Sequence, residues 1–110
     1  MDIRRETRAG GSIVFIGGKL DTLAAAELEK AIAEGMSASS HRVVVDCADL
    51  LYICSAGLRV LLLGSRECQK EGGFLRLSAV SKFILEVFSI TGFDKLFRVY
   101  ENPERALEAE

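Results

Sequence analysis

The segment "RVVVDCADL", residues 42–50, opens on three valines in succession. β-Branched side chains favour extended backbone. Three in a row leave neither face of the strand polar, so both faces must be buried. That is the setting of a parallel sheet with helices on each side, since parallel neighbours are joined by crossover connections and not by hairpins. One short run thus points to an α/β fold and sets what should flank it.

The flanks read accordingly. Residues 2–8 are polar and alternate weakly, which suits an edge strand. Gly10-Gly11 signals a turn into the β-branched and aromatic run "SIVFIG". In "GGKLDTLAAAELEKAIAEGM", Asp21 or Thr22 is a suitable N-cap, and Ala24, Leu28, Ala31, Ile32 and Gly35 share one helical face. "SASSH" reads as a loop, and residues 51–54 as re-entering the edge of the core. A helix over 56–71 has Leu58, Leu61, Leu62, Ser65, Cys68 and Gln69 at helical spacing, and Gly72-Gly73 ends it. "FLRLSAV" is a short strand. Ser81 caps a helix with Ile84, Leu85, Phe88 and Ile90 as its apolar face, closed by Thr91-Gly92. "KLFRVYE" is a last strand, and Pro103 opens a final helix over 103–109. The expected fold is a mixed, mostly parallel sheet of about five strands with four helices. At 110 residues the chain is read as one domain, 1–110.

Composition removes several classes of function. The net charge is −2 with both signs interspersed, so nucleic acid is not an expected partner. Three cysteines without a CxxC pair argue against a disulfide framework. One histidine and no His/Cys spacing argue against a metal site. No apolar run approaches a membrane span, and "MDIRRETRAGG" carries no apolar signal region, so the expected location is the cytoplasm, with no membrane partner. Gly10-Gly11, Gly17-Gly18 and Gly72-Gly73 are pairs outside any GxGxxG or P-loop pattern. They read as turns and a helix cap, and no cofactor is expected.

The chemistry concentrates at Cys54-Ser55-Ala56-Gly57, which interrupts the apolar sequence "LLYICSAGLRVLL". In open α/β sheets, binding and control sites lie where a strand's carboxyl end enters a helix. Ser55 has two compatible readings there. One is an N-cap for the helix 56–71. The other is a hydroxyl presented to a partner or a kinase, with a phosphate favoured by the helix's unpaired amides and dipole.

"VVVDCADLLYICSAGLRVLL" resembles the STAS domain of bacterial anti-sigma factor antagonists. That family has a strand ending in Asp, a short apolar loop, and an Asp-Ser-Ser-Gly-Leu or Ser-Ser-Ala-Gly-Leu motif. "GGKLDTLAAAELEKAI" is similar to its Gly-x-Leu-Asp segment and first helix. "KEGGFLRLSAVSKFILEVFSITGFDKLFRVYENPERAL" is similar to its second half. The resemblance implies a binding switch and not an enzyme. An unmodified antagonist binds an anti-sigma factor that is also a serine kinase of the histidine-kinase-like ATPase type. Phosphorylation releases it, and a serine phosphatase resets it. Matched by position, the phosphoacceptor is Ser55. Asp21 and Asp46 match the family's acidic positions, and Cys54, Ala56, Gly57, Leu58 and Arg59 fall in or beside the motif. The chain departs from the family in having Cys54 before the serine and Ala56 after it, so Ser55 is the motif's only hydroxyl. The alternative is a STAS subunit of a transporter or stress-sensing complex, in which Ser55 contacts a partner unmodified.

A third class, a small enzyme using Cys54 or Ser55 as nucleophile, lacks a partnered base. His41 is isolated in a loop, and Ile53 stands where a nucleophile elbow needs glycine. Cys47 and Cys68 read as small core residues. Phe83, Phe88, Phe93 and Phe97 read as packing residues, some of them able to form a contact patch.

Overall fold

The computed structural model describes residues 1–109. Five strands form one sheet in the order β1-β2-β3-β4-β5: Asp2–Arg8, Gly11–Leu20, Arg42–Ile53, Phe74–Ser78 and Val99–Tyr100. β1 pairs antiparallel with β2, and the other neighbours are parallel. The valine-rich β3 is the middle strand, with Val43, Val44 and Val45 fully buried. The polar first strand is an edge, as its composition requires.

The helices are α1 (Thr22–Ala38), α2 (Ser55–Lys70), α3 (Lys82–Thr91) and α4 (Pro103–Glu108). Apolar residues of α1, α2 and α3 join Val14, Val43, Val45 and Leu77 in the main core. On the other sheet face, Ala106 of α4 packs with Ile13 and Val44. Local chemistry explains the helix ends. Asp21 accepts the Ala24 amide at 2.9 Å, Ser81 the Ile84 amide at 3.2 Å, and Asn102 the Arg105 amide at 2.8 Å. Gly92 closes α3 with φ 79°, a conformation that suits glycine. None of the described helices is long and apolar enough to cross a membrane.

Several sequence expectations are corrected. α1 extends through Ser37 and Ala38 into the expected loop, and the chain then reverses through left-handed Ser40 and His41. His41 is half-buried, and its carbonyl accepts the Phe74 amide. Only Val99–Tyr100 of the last expected strand pairs, because residues 93–95 coil into a 3-10 turn. Ile90 is 86% exposed, so Ile84 and Phe88 are the buried anchors of α3, with Val87 half-buried beside them.

Gly17-Gly18 is not a turn either. It lies inside β2 where the β2–β3 register slips. Phe15 pairs with Asp46 and Gly17 with Asp49; Gly18 pairs with Leu50 and Lys19 with Tyr52. β3 therefore carries an extra residue at each of two bulges. Each bulge adds one residue to the two-residue repeat, so Cys47, Leu50 and Ile53, three apart, all reach the main core.

Gly73 sits against the turn before β3. A Cβ there would stand 2.0 Å from the His41 carbonyl oxygen. Backbone cannot yield as a flexible side chain can, so Gly73→Ala should destabilise the fold by about 1–3 kcal/mol. Thermal unfolding checks this, with the Tm expected to fall by several degrees.

Candidate functional site

β2 and β3 end together. Leu20 pairs with Ile53, and the Cys54 amide donates to the Leu20 carbonyl at 3.0 Å. From these adjacent ends the chain enters α1 and α2, so Asp21 and Ser55 begin neighbouring helices that pack on each other. Gly57 lets the first turn of α2 settle on the sheet. A Cβ there would meet Leu20 Cγ and Cδ2 at 2.7 Å. Gly57 and Leu58 are buried and seat the helix, whereas Ser55 and Arg59 are exposed and Ala56 is half-buried.

The N-cap of α2 is Cys54, not Ser55. Cys54 has extended backbone, with φ −93° and ψ 174°, while Ser55 is the first helical residue. A helical residue cannot fold its hydroxyl back over the amides that follow as an extended cap does. Cys54 makes no side-chain cap, so α2 starts with its amides uncapped. The Ser55 hydroxyl makes no hydrogen bond among the described residues. Arg59, one turn on, makes no ion pair among them.

Residues 51–53 are strand and not a re-entrant loop, and they change the surface beside Ser55. Leu51 is 68% exposed, Tyr52 46%, and Leu23, at the start of α1, 76%. The second bulge turns Leu51 and Tyr52 outward, which helical or strand spacing does not reveal. The available signal was "LLYI" itself, four apolar residues too many for one buried face.

Asp46 lies elsewhere. It sits mid-strand, seven residues before Ile53, which is about 20 Å along a strand. It shares the parity of Val44 and so faces the α4 side, opposite α2. Asp46 is 6% exposed; Oδ2 accepts the Ser78 hydroxyl at 2.9 Å and Oδ1 the Ala48 amide at 3.1 Å. The Ala48 amide lies at the first bulge, where the ladder leaves it free. The structure thus brings Asp21, Cys54, Ser55, Ala56 and Arg59 to one end of the sheet and does not bring Asp46 there.

Thiol chemistry is confined in the same way. Burial pushes the Cys47 thiol up to about 12, helped by the Asp46 charge, and burial pushes Cys68 up to about 11. Both are un-ionised at neutral pH. Cys54 is the half-buried thiol of the three.

Comparisons with known proteins agree with this architecture. The STAS domain family model matches residues 2–106. BtrV of Bordetella bronchiseptica, named as a candidate anti-sigma factor antagonist, is 36% identical over 91% of this chain and 86% of that protein. The anti-sigma-F factor antagonist RsfB of Mycobacterium tuberculosis is 29% identical over 89% of this chain and 80% of that protein. The crystal structure of an anti-sigma factor antagonist from Mycobacterium paratuberculosis superposes with a TM-score of 0.83 at 28% identity, covering 96% of this chain and 90% of that one.

Asp46→Ala would leave the buried Ser78 hydroxyl and the Ala48 amide without their acceptor, a loss of about 1–3 kcal/mol. Urea unfolding should show it as a lower midpoint, with Asp46→Asn recovering part of the loss through its amide oxygen. An unchanged midpoint would mean that the two bonds do not hold the bulge.

Proposed function

The chain belongs to the STAS domain family, and on that premise we propose that it is an anti-sigma factor antagonist switched by phosphorylation of Ser55. The observation that carries this reading is an exposed hydroxyl on the first residue of an uncapped helix. Serving as no cap, Ser55 is free to enter a kinase active site. On this reading the chain is a regulatory binding protein and not an enzyme. The ATP belongs to its partner, a histidine-kinase-like anti-sigma factor in the cytoplasm.

The physics of the switch separates fold from interface. A phosphate adds about −1.5 to −2 charges and three acceptor oxygens. At the start of α2 the free amides and the helix dipole favour an anion by about 0.3–1 kcal/mol, so the fold tolerates it. Arg59 stands at the four-residue spacing that lets a side chain meet the modified serine. The interface does not tolerate it. Unmodified, this end of the sheet exposes the apolar side chains of Leu23, at the start of α1, and Leu51 and Tyr52, at the end of β3. A dianion pressed into that contact, beside the exposed carboxylate of Asp21, loses water without gaining a matched partner. A penalty of about 2–5 kcal/mol weakens binding by tens- to thousands-fold, with no large change of shape. A serine phosphatase then returns the protein to its binding form.

The test is intact mass after incubation with the cognate kinase and ATP. Wild type should gain one phosphate and Ser55→Ala none, with both binding the kinase. No gain in wild type, with binding preserved, would replace this reading by that of a STAS subunit whose Ser55 contacts a partner unmodified.

A further inference from the structure

At the other end of α2, a cleft of about 280 Å³ opens between the C-terminal half of that helix, the start of β4 and the segment 95–98. It exists because β5 is short. β5 pairs with β4 only at Leu77 and Ser78, so the first part of β4 has no neighbour on that side. The Leu77 and Ala79 amides donate across to the Arg98 and Tyr100 carbonyls at 3.0 and 2.9 Å. Amides on one strand alternate in direction, so the Leu75 amide points the same way, where no strand receives it.

The side chains at this cleft are donors and cations. Ser65 is 4% exposed and makes no hydrogen bond among the described residues. No fully buried side-chain polar atom among them lacks a partner, so the small exposure of Ser65 includes its hydroxyl, which opens into the cleft it lines. Gln69, Lys95, Arg98 and Arg76 also line it, and no carboxylate does. Lys95 and Arg98 make no ion pair among the described residues. Arg76 lines the cleft at the sheet edge, but its guanidinium is held on the α4 side by the Ala106 and Ala109 carbonyls, both at 2.7 Å, which leaves Lys95 and Arg98 as the free cations of the cleft. Cations held together without a counter-charge repel, and an anion between them relieves that repulsion.

We propose that this cleft binds the phosphoryl group of a small phosphorylated molecule. Ser65, Gln69 and the Leu75 amide donate hydrogen bonds, and Lys95 and Arg98 supply the opposing charge. Several donors with more than one cation match a dianion with three free oxygens better than a single carboxylate. A phosphate alone does not fill the volume, and Leu96 and Phe97 give the body of the ligand an apolar wall. Ser65 lies ten residues after Ser55, about 15 Å along the helix, so this site is separate from the phosphorylation switch and does not depend on it.

Titration of the ¹⁵N-labelled protein with inorganic phosphate and with glycerol 3-phosphate, at constant ionic strength, tests the proposal. Saturable shifts are expected at the Leu75 backbone amide and the Gln69 side-chain amide, with glycerol 3-phosphate the tighter of the two. Both altered residues of Lys95→Ala/Arg98→Ala are exposed, so that variant should keep its spectrum and bind about tenfold more weakly or worse. Ser55→Ala should bind as wild type does. Shifts that do not saturate, or that fall only on the amides of 55–57, would overturn the proposal. Equal affinity for the two ligands would overturn the assignment of the rest of the cleft to a ligand body.

Discussion

From Phe15 to Lys19 the second strand runs five residues, and beside it the third runs seven, from Asp46 to Tyr52. The two extra residues bend β3, and the rest of the upper sheet follows from that bend. Gly17 admits it, since a Cβ at that position would stand 3.2 Å from Asp49 Cβ. Asp46 ties down the amide freed at the first bulge and links it to Ser78 on β4. Past the second bulge, Ile53 again meets Leu20, and the glycine at 57 lets α2 start directly on top of both. Ser55 is therefore held by the main core while its own exposed hydroxyl makes no hydrogen bond among the described residues. A switch residue needs that combination of a fixed backbone and an uncommitted hydroxyl.

Much of this was legible in the sequence. The valine run marks the buried central strand, Asp21 and Ser81 cap the helices they precede, and Pro103 opens the last one. What escaped were features that depend on two segments at once. A bulge is a mismatch between neighbouring strands, and "VVVDCADLLYI" alone does not reveal which of its residues lack partners. Hence the outward turn of Leu51 and Tyr52, and the distance of Asp46 from Ser55, could not be read from spacing. The identity of the α2 cap was lost for a smaller reason. Serine is a much better cap than cysteine, yet the extended backbone falls one residue earlier. The last strand shrank to two residues because a 3-10 turn absorbed the chain before it, which also left the edge of β4 open.

On the proposed function, the same geometry would let one chain carry two charge states with one fold. A phosphate at the start of α2 lies where uncapped amides and the helix dipole favour negative charge, away from the buried carboxylate of Asp46. On that proposal its effect falls on the partner, through desolvation beside exposed Leu23, Leu51 and Tyr52 and the Asp21 carboxylate. Regulation then needs no bistable element within the domain, only an interface that one form can enter and the other cannot.

The most direct measurement is the affinity of the partner kinase, held with a non-hydrolysable nucleotide, for the unmodified and the Ser55-phosphorylated protein, together with their amide spectra. The account predicts a loss of affinity of at least tens-fold on phosphorylation, with spectral changes confined to the start of α2 and its neighbours. Equal affinities, or changes spread through the core, would contradict it.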